Sequence, residues 1–289
     1  MNTNFRQPML TIPTLQGVRP ERQIILWIVA NAGGIGKTTL GLHLGYRMAQ
    51  LGLKVALIDL DTNGSAARFC GLDSNRPPEQ TSAALFDRNF GGQYPFQMPE
   101  WGQPNGSFEV CVGGDVMLSV SLDLPSRTGR EFILKRAFKK YPLEHDILIL
   151  DSPASLDVLS YSALAVATHI LIPIPMSVKL TGIDSLLQWI RVEAESLDLD
   201  PMPELLGGIP MRVANNADQK AFYSEISAVL EDQKIPCFSG IRYSSEFENA
   251  SNRGRAPLFI HRPGHAACKD FDPIIQALCD AIQTPDASV

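Results

Sequence analysis

The ten residues NAGGIGKTTL at 31–40 constrain this chain more than any other stretch of it. Gly33, Gly34, Ile35 and Gly36 lie between a continuously apolar run, 24–29, and a segment whose Leu40, Leu44, Met48 and Leu51 fall on one helical face. A strand that turns through glycines into a helix brings backbone N–H groups and the positive end of a helix dipole to one point, which suits a phosphate. Lys37 is spaced to reach β- and γ-phosphates, Thr38 to offer its hydroxyl to Mg²⁺, and Thr39 to touch the α-phosphate. The strict G-x-x-x-x-G-K-[ST] spacing is not met, because Asn31 stands where its first glycine would be. A glycine-rich turn that merely caps an ordinary helix is the competing reading.

Two acidic strand ends weigh against that competitor. LIDLD (57–61) carries Asp59 and Asp61, and LILDSPAS (148–155) carries Asp151. In a parallel sheet both end at the carboxyl edge, where the phosphate turn also lies and where ligands bind. Asp151 suits a Mg²⁺ held through water, with Asp59 a further metal candidate, and Asp61 is placed to orient an attacking water. A single acidic residue at a strand end is more often a helix cap or a solvated turn. Two of them matched to one phosphate turn make a site.

The rest of the chain keeps a strand–helix rhythm. Strands are predicted at 24–29, 54–59, 146–151, 169–174, 207–212 and 237–242, with helices over 37–51, near 128–140, near 156–166, 181–196 and near 217–231. Continuously apolar strands of this kind are covered on both faces, so the expected fold is α/β, a doubly wound, mostly parallel sheet with helices on both faces. Residues 1–22, broken by Pro8, Pro13 and Pro20, read as an irregular tail, and 23–285 as one domain. Within it, 73–108 carries five prolines and four glycines and reads as a long irregular loop, either functional or disordered, with one short helix around 83–86.

Composition narrows the function classes. With 289 residues, 45% of them hydrophobic, the chain has ample material for a buried core. Its net charge of −6 gives no global field toward nucleic acid or anionic lipid, so any such contact must be local. The late arginines Arg242, Arg253 and Arg255, with Arg212, Lys220 and Arg262, form the candidate DNA-binding cluster, with an ordinary mixed surface as the competing reading; Lys135, Arg136, Lys139 and Lys140 read as a solvated helix face. Five scattered cysteines without a C-x-x-C pair argue against disulfides and metal ribbons and fit a reducing cytoplasm. His261 and His265 are separated by Pro263 and Gly264, which forbids a helical metal pair. The final segment, with Ile274, Ile275, Leu278 and Ile282 on one face, is acidic rather than basic, which suits a helix packed on the sheet and speaks against a membrane-surface role.

Taken together, GGIGKTT (33–39), LIDLDTNGSAA (57–67) and LILDSPASLDVLSYSALAVATHILIPI (148–174) resemble the ParA/MinD family of deviant Walker ATPases, within the SIMIBI class of P-loop NTPases. GREFILKRAF (129–138) and IRYSSEFENASNRGRAPL (241–258) resemble its ParA branch, and the likeness spans about 24–282. The resemblance implies ATP and Mg²⁺ as cofactors, a homodimer formed on ATP, slow hydrolysis stimulated by a ParB-like or other adaptor, and non-specific binding of nucleoid DNA in the cytoplasm to partition a plasmid or chromosome. It assigns Lys37 and Asp61 catalytic roles, residues 33–39 the nucleotide, and Thr38 and Asp151 the metal. Two departures stand out. The family's D-x-D-P-Q-G switch here reads Asp61, Thr62, Asn63, Gly64, which keeps the carboxylate. The family's signature lysine, which crosses the dimer interface, is Ala32 here. Three readings follow: a nucleotide-sensing scaffold or regulator with weak hydrolysis, a substitute cation for which Lys179 is the candidate, or a likeness to members that lack the lysine, such as McdA-type ATPases that position carboxysomes.

Overall fold

Strand β1 (Ile24–Ile28) is the centre of the molecule because it is apolar on both faces and both faces are covered. Its Ile24, Leu26 and Ile28 join one core with Leu40, Leu44 and Met48, while Trp27 enters the opposite core with Leu159, Leu187 and Ile190. The computed structural model describes residues 21–73, 75–176, 181–214 and 216–284.

The element order is β1, α1 (Lys37–Gln50), β2 (Lys54–Asp59), α2 (Ser65–Cys70), β3 (Ser107–Cys111), α3 (Val116–Asp123), α4 (Ile133–Lys140), β4 (Ile147–Asp151), α5 (Val158–Leu164), β5 (His169–Pro175), α6 (Thr181–Ser196), β6 (Glu204–Val213), α7 (Ala217–Asp232), β7 (Ile241–Arg242), α8 (Glu246–Asn249), α9 (Leu258–His261) and α10 (Asp272–Gln283). Seven parallel strands run β3-β2-β4-β1-β5-β6-β7, so the expected doubly wound sheet is what forms. The closing helix α10 buries Ile274, Ile275, Leu278 and Ile282 against the core shared with α1. Among the described residues no helix is long and apolar enough to cross a membrane.

Four segments differ from the sequence expectation in whole or in part. The predicted strand 237–242 shrinks to β7, because Gly240 takes φ +87° and interrupts the pairing that Phe238 begins with Gly208. The loop 73–108 ends in β3, an edge strand with only one neighbour; the short helix expected within it around 83–86 forms as a buried 3-10 turn over Ser82–Phe86, with Ala83, Leu85 and Phe86 in the core. The short helices α2 and α3 interrupt regions that carry no clear period.

Helix α1 lies unusually close to the sheet. Gly41 and Gly45, one turn apart, face Leu57 and Phe108, and a Cβ on Gly45 would collide with the Phe108 ring. Gly45→Ala therefore gains helix propensity yet overpacks the core, and we expect a net loss of about 1–2 kcal/mol, read by urea unfolding. A gain in stability would show that the ring yields freely.

Candidate functional site

The turn from β1 into α1 is shaped by two left-handed glycines, Gly34 at φ +68° and Gly36 at φ +100°. Gly36 caps α1 without any side-chain hydrogen bond, and no acidic residue sits in the first turn, so the helix N-terminus keeps its free N–H donors for an anion. A cavity of about 210 Å³ opens beside it, bordered by Ile35, Gly36 and Thr39 on the loop side and by Met211, Arg212 and Phe247 opposite.

Beneath the turn, charge is concentrated and buried. Lys37 is only 6% exposed; its Nζ donates to the Ala32 carbonyl at 3.5 Å. Burial lowers its pKa, and the carboxylates of Asp151 and Asp61 pull it back up. Asp59 and Asp151 are register partners at the ends of β2 and β4, and both are fully buried. Desolvation, and then the neighbouring Asp151, holds the Asp59 carboxyl well above the usual carboxylate range. Burial pushes Asp151 up to about 7, opposed by the Thr38 hydroxyl and by Lys37. Asp59 Oδ1 accepts the Asp61 N–H at 2.9 Å, whereas Asp59 Oδ2 and both Asp151 oxygens have no well-formed hydrogen bond.

Buried carboxylate oxygens without partners at a strand edge fit a divalent cation or its water shell. Among the described residues no group of three or more His, Cys, Asp or Glu side chains forms a closed cage, His261 and His265 included.

Asp61 stands at the rim, its Oδ1 accepting from the Asn63 N–H (3.0 Å) and the Asn63 amide (2.7 Å). Sequence reasoning misses what supports it: the Gly114 N–H donates to the Asp61 carbonyl at 3.0 Å, and a Cβ on Gly113 would lie 2.7 Å from the carbonyls of Asp59 and Asp61. The adjacent glycines in VGGD (112–115) are the available signal. Ser152, next to Asp151, accepts from the buried Trp27 indole N–H at 2.9 Å.

The late arginines divide. Arg242 borders the cavity and is committed to Asp270 through Nε (2.7 Å) and Nη2 (2.6 Å); Arg262 pairs with Glu246 at 3.1 Å. Arg253 lies in a π-turn over Ala250–Gly254, and Arg255 is exposed at φ +45°. Lys179 lies outside the described residues.

His43, also unanticipated, ties the loop helix to the C-terminal segment. The Leu258 N–H donates to its Nε2 (2.9 Å), so the ring is protonated on Nδ1 and donates to the Thr39 carbonyl (2.7 Å). The ring stacks on Phe271 at 5.1 Å, with Phe69, Phe247 and Phe259 around it. Burial lowers its pKa from 6.5 to about 4, so its neutral form supports folding above pH 6.5 and that support is lost as pH falls toward 4. His43→Ala should cost about 3 kcal/mol at pH 7 by leaving a cavity and an unpaired Leu258 N–H, and should flatten the loss of melting temperature below pH 6.5. An unchanged melting curve would refute this.

Comparison with known proteins agrees with this architecture. The sequence model of an AAA domain family matches residues 23–199. The cell division protein PomZ of Myxococcus xanthus is 28% identical over 256 residues, covering 86% of this chain and 75% of PomZ. The sporulation initiation inhibitor protein Soj of Bacillus subtilis is 26% identical over 181 residues, 62% of this chain and 70% of Soj. Among solved structures, a McdA–ATP complex from Cyanothece superposes with a TM-score of 0.74 at 23% identity, covering 89% of this chain and 97% of McdA, a likeness of fold. With a parallel sheet, a glycine turn and a family match over most of its length, the chain belongs to this AAA-domain family and is a homologue of the ParA, Soj and MinD-type partition ATPases.

Proposed function

We propose that the chain is a ParA-type ATPase that dimerises on ATP, binds DNA without sequence preference and uses partner-stimulated hydrolysis to partition a plasmid or chromosome. The observation that carries this reading is the convergence of Lys37, Thr38, Asp59 and Asp151 beneath an uncapped helix N-terminus at the carboxyl edge of the sheet. Gly33, Gly34, Ile35 and Gly36 wrap the phosphates with backbone N–H groups, and Lys37, Thr38 and Thr39 contact them with side chains. Asp151, with Thr38, holds the water shell of Mg²⁺, and Asp59 supports it from the neighbouring strand. Bound Mg²⁺ offsets the charge that builds between the β- and γ-phosphates. Asp61, at the solvent rim, orients the attacking water. Arg253 and Arg255, which no carboxylate occupies among the described residues, are the arginines available to DNA, because Arg242 and Arg262 are paired. The proposed site of action is the nucleoid, with an adaptor protein that accelerates hydrolysis.

Ala32 favours a second reading, a nucleotide-dependent scaffold or regulator with weak hydrolysis, or an ATPase that positions a protein cargo. One experiment separates the two. DNA binding and light scattering are measured with ATP, with ADP and without nucleotide, at two salt concentrations. A salt-sensitive, DNA-bound dimer formed with ATP alone supports partition. ATP binding without dimer or DNA complex sinks it in favour of the scaffold.

A further inference from the structure

The nucleotide site is rich in carboxylate and short of cation. Asp59, Asp61 and Asp151 lie about it, while Lys37 is the one basic side chain the loop itself supplies; it is nearly buried, with its Nζ on the Ala32 carbonyl and the charges of Asp151 and Asp61 acting on it. A nucleoside triphosphate adds several negative charges, of which a divalent cation offsets only part.

The end of β6 supplies a second cation. β6 and β7 slip register between Met211 and Val213, so Arg212 is the extra residue of a bulge, a device that re-aims a side chain. Its φ of +59° lies in the left-handed region that arginine disfavours. The guanidinium reaches back to the loop, donates to the Gly34 carbonyl at 3.0 Å, and borders the same cavity as Gly36 and Thr39. It is exposed and has no carboxylate partner among the described residues, whereas Arg242, the other guanidinium on the cavity border, is bound to Asp270. One exposed bond to a carbonyl is a weak reason to hold an arginine in this backbone region, and a strained residue beside a ligand cavity marks function.

We propose that Arg212 is a nucleotide-binding residue whose guanidinium leaves the Gly34 carbonyl to contact phosphate oxygens of the bound nucleoside triphosphate. This rests on the ATP-binding reading above. The planar fork of arginine matches two phosphate oxygens at once, which a lysine ammonium does not.

The test uses the purified full chain with Mg²⁺, titrated calorimetrically with ATP, in the wild type and in Arg212→Gly, Arg212→Asn, Arg212→Lys and Lys37→Ala. Glycine and asparagine tolerate the left-handed backbone, so both variants should melt at or above the wild-type temperature without nucleotide. Their ATP affinity should fall tenfold or more, and Arg212→Lys should recover part of it. Unchanged ATP affinity in the glycine and asparagine variants overturns the proposal. So does a loss of affinity accompanied by a fall in nucleotide-free melting temperature, which would make Arg212 a structural tie. A wild type that binds no ATP defeats the site reading and this inference with it. Binding that Lys37→Ala abolishes but the Arg212 variants retain defeats only the role of Arg212.

Discussion

Lys37→Ala is expected to abolish measurable ATP binding and to lower ATP turnover by about a thousandfold, the scale of losing a preorganised charge at developing phosphate charge. The side chain is nearly buried and sits under the free N-terminus of α1, where no other described cation lies as deep. Removing it takes away the positive charge that opposes the rise in the Asp151 pKa, leaves the Thr38 hydroxyl as the remaining favourable contact, and drives the Asp151 carboxyl further toward its protonated form. Titration of ATP together with phosphate release gives the result. Retention of tight binding would mean that the backbone cradle alone holds the phosphates.

Asp151→Asn should separate stability from function. Below about pH 4 the folded and unfolded chains both carry this proton, and the carboxyl contributes nothing to the balance. As pH rises toward 7, only the unfolded chain ionises, because its carboxyl keeps the ordinary value of 3.8 while burial holds the folded one at about 7. Folding is therefore weakened progressively as pH rises across that window. Asparagine avoids the ionisation and leaves a buried amide imperfectly paired, so the nucleotide-free variant should melt several degrees above the wild type at pH 8 and lose that gain by pH 4. Hydrolysis with Mg²⁺ should fall at least a hundredfold. A nucleotide-free variant that melts below the wild type at pH 8 would contradict the argument.

Both predictions rest on residues that stand out in the amino-acid sequence itself, and the reason is physical. β1, β2, β4 and β5 are covered on both faces, so past the Lys54 that opens β2 and the His169 that opens β5 their sequences are apolar runs, and the acidic residues that end β2 and β4 contrast with them. β3 escapes pattern reading because it is an edge strand whose SFEVC alternates and follows a proline-rich stretch. α3 escapes it because its apolar residues do not share a face: Met117 is buried, while Leu118 and Leu122 are exposed. His43 looks like any polar residue of α1 until Leu258, more than two hundred residues away, is brought to its ring. Arg212 reads as one more basic residue because its placement comes from a register slip against β7, which no local pattern encodes. The pairing of Arg242 with Asp270 is likewise a long-range event, and it removes from the candidate DNA surface a charge that composition alone counts.

The bond from the Trp27 indole to Ser152 gives the molecule an optical handle. Trp27 is fully buried, lies on β1 beneath the glycine turn, and its ring centroid is 6.3 Å from that of Trp189 on α6. An indole in an apolar core emits to the blue of one in water, and its intensity responds to the polarity and hydrogen bonding of its N–H. Its acceptor adjoins Asp151, the carboxyl proposed above to hold the water shell of Mg²⁺, so on that proposal Trp27 emission would report the state of the β4 edge from within. Trp27→Phe would silence that signal and leave Trp101, packed apart from it on Tyr46, Phe69 and Phe108, as the internal reference, which turns an unlabelled sample into a fluorimeter of its own proposed nucleotide site.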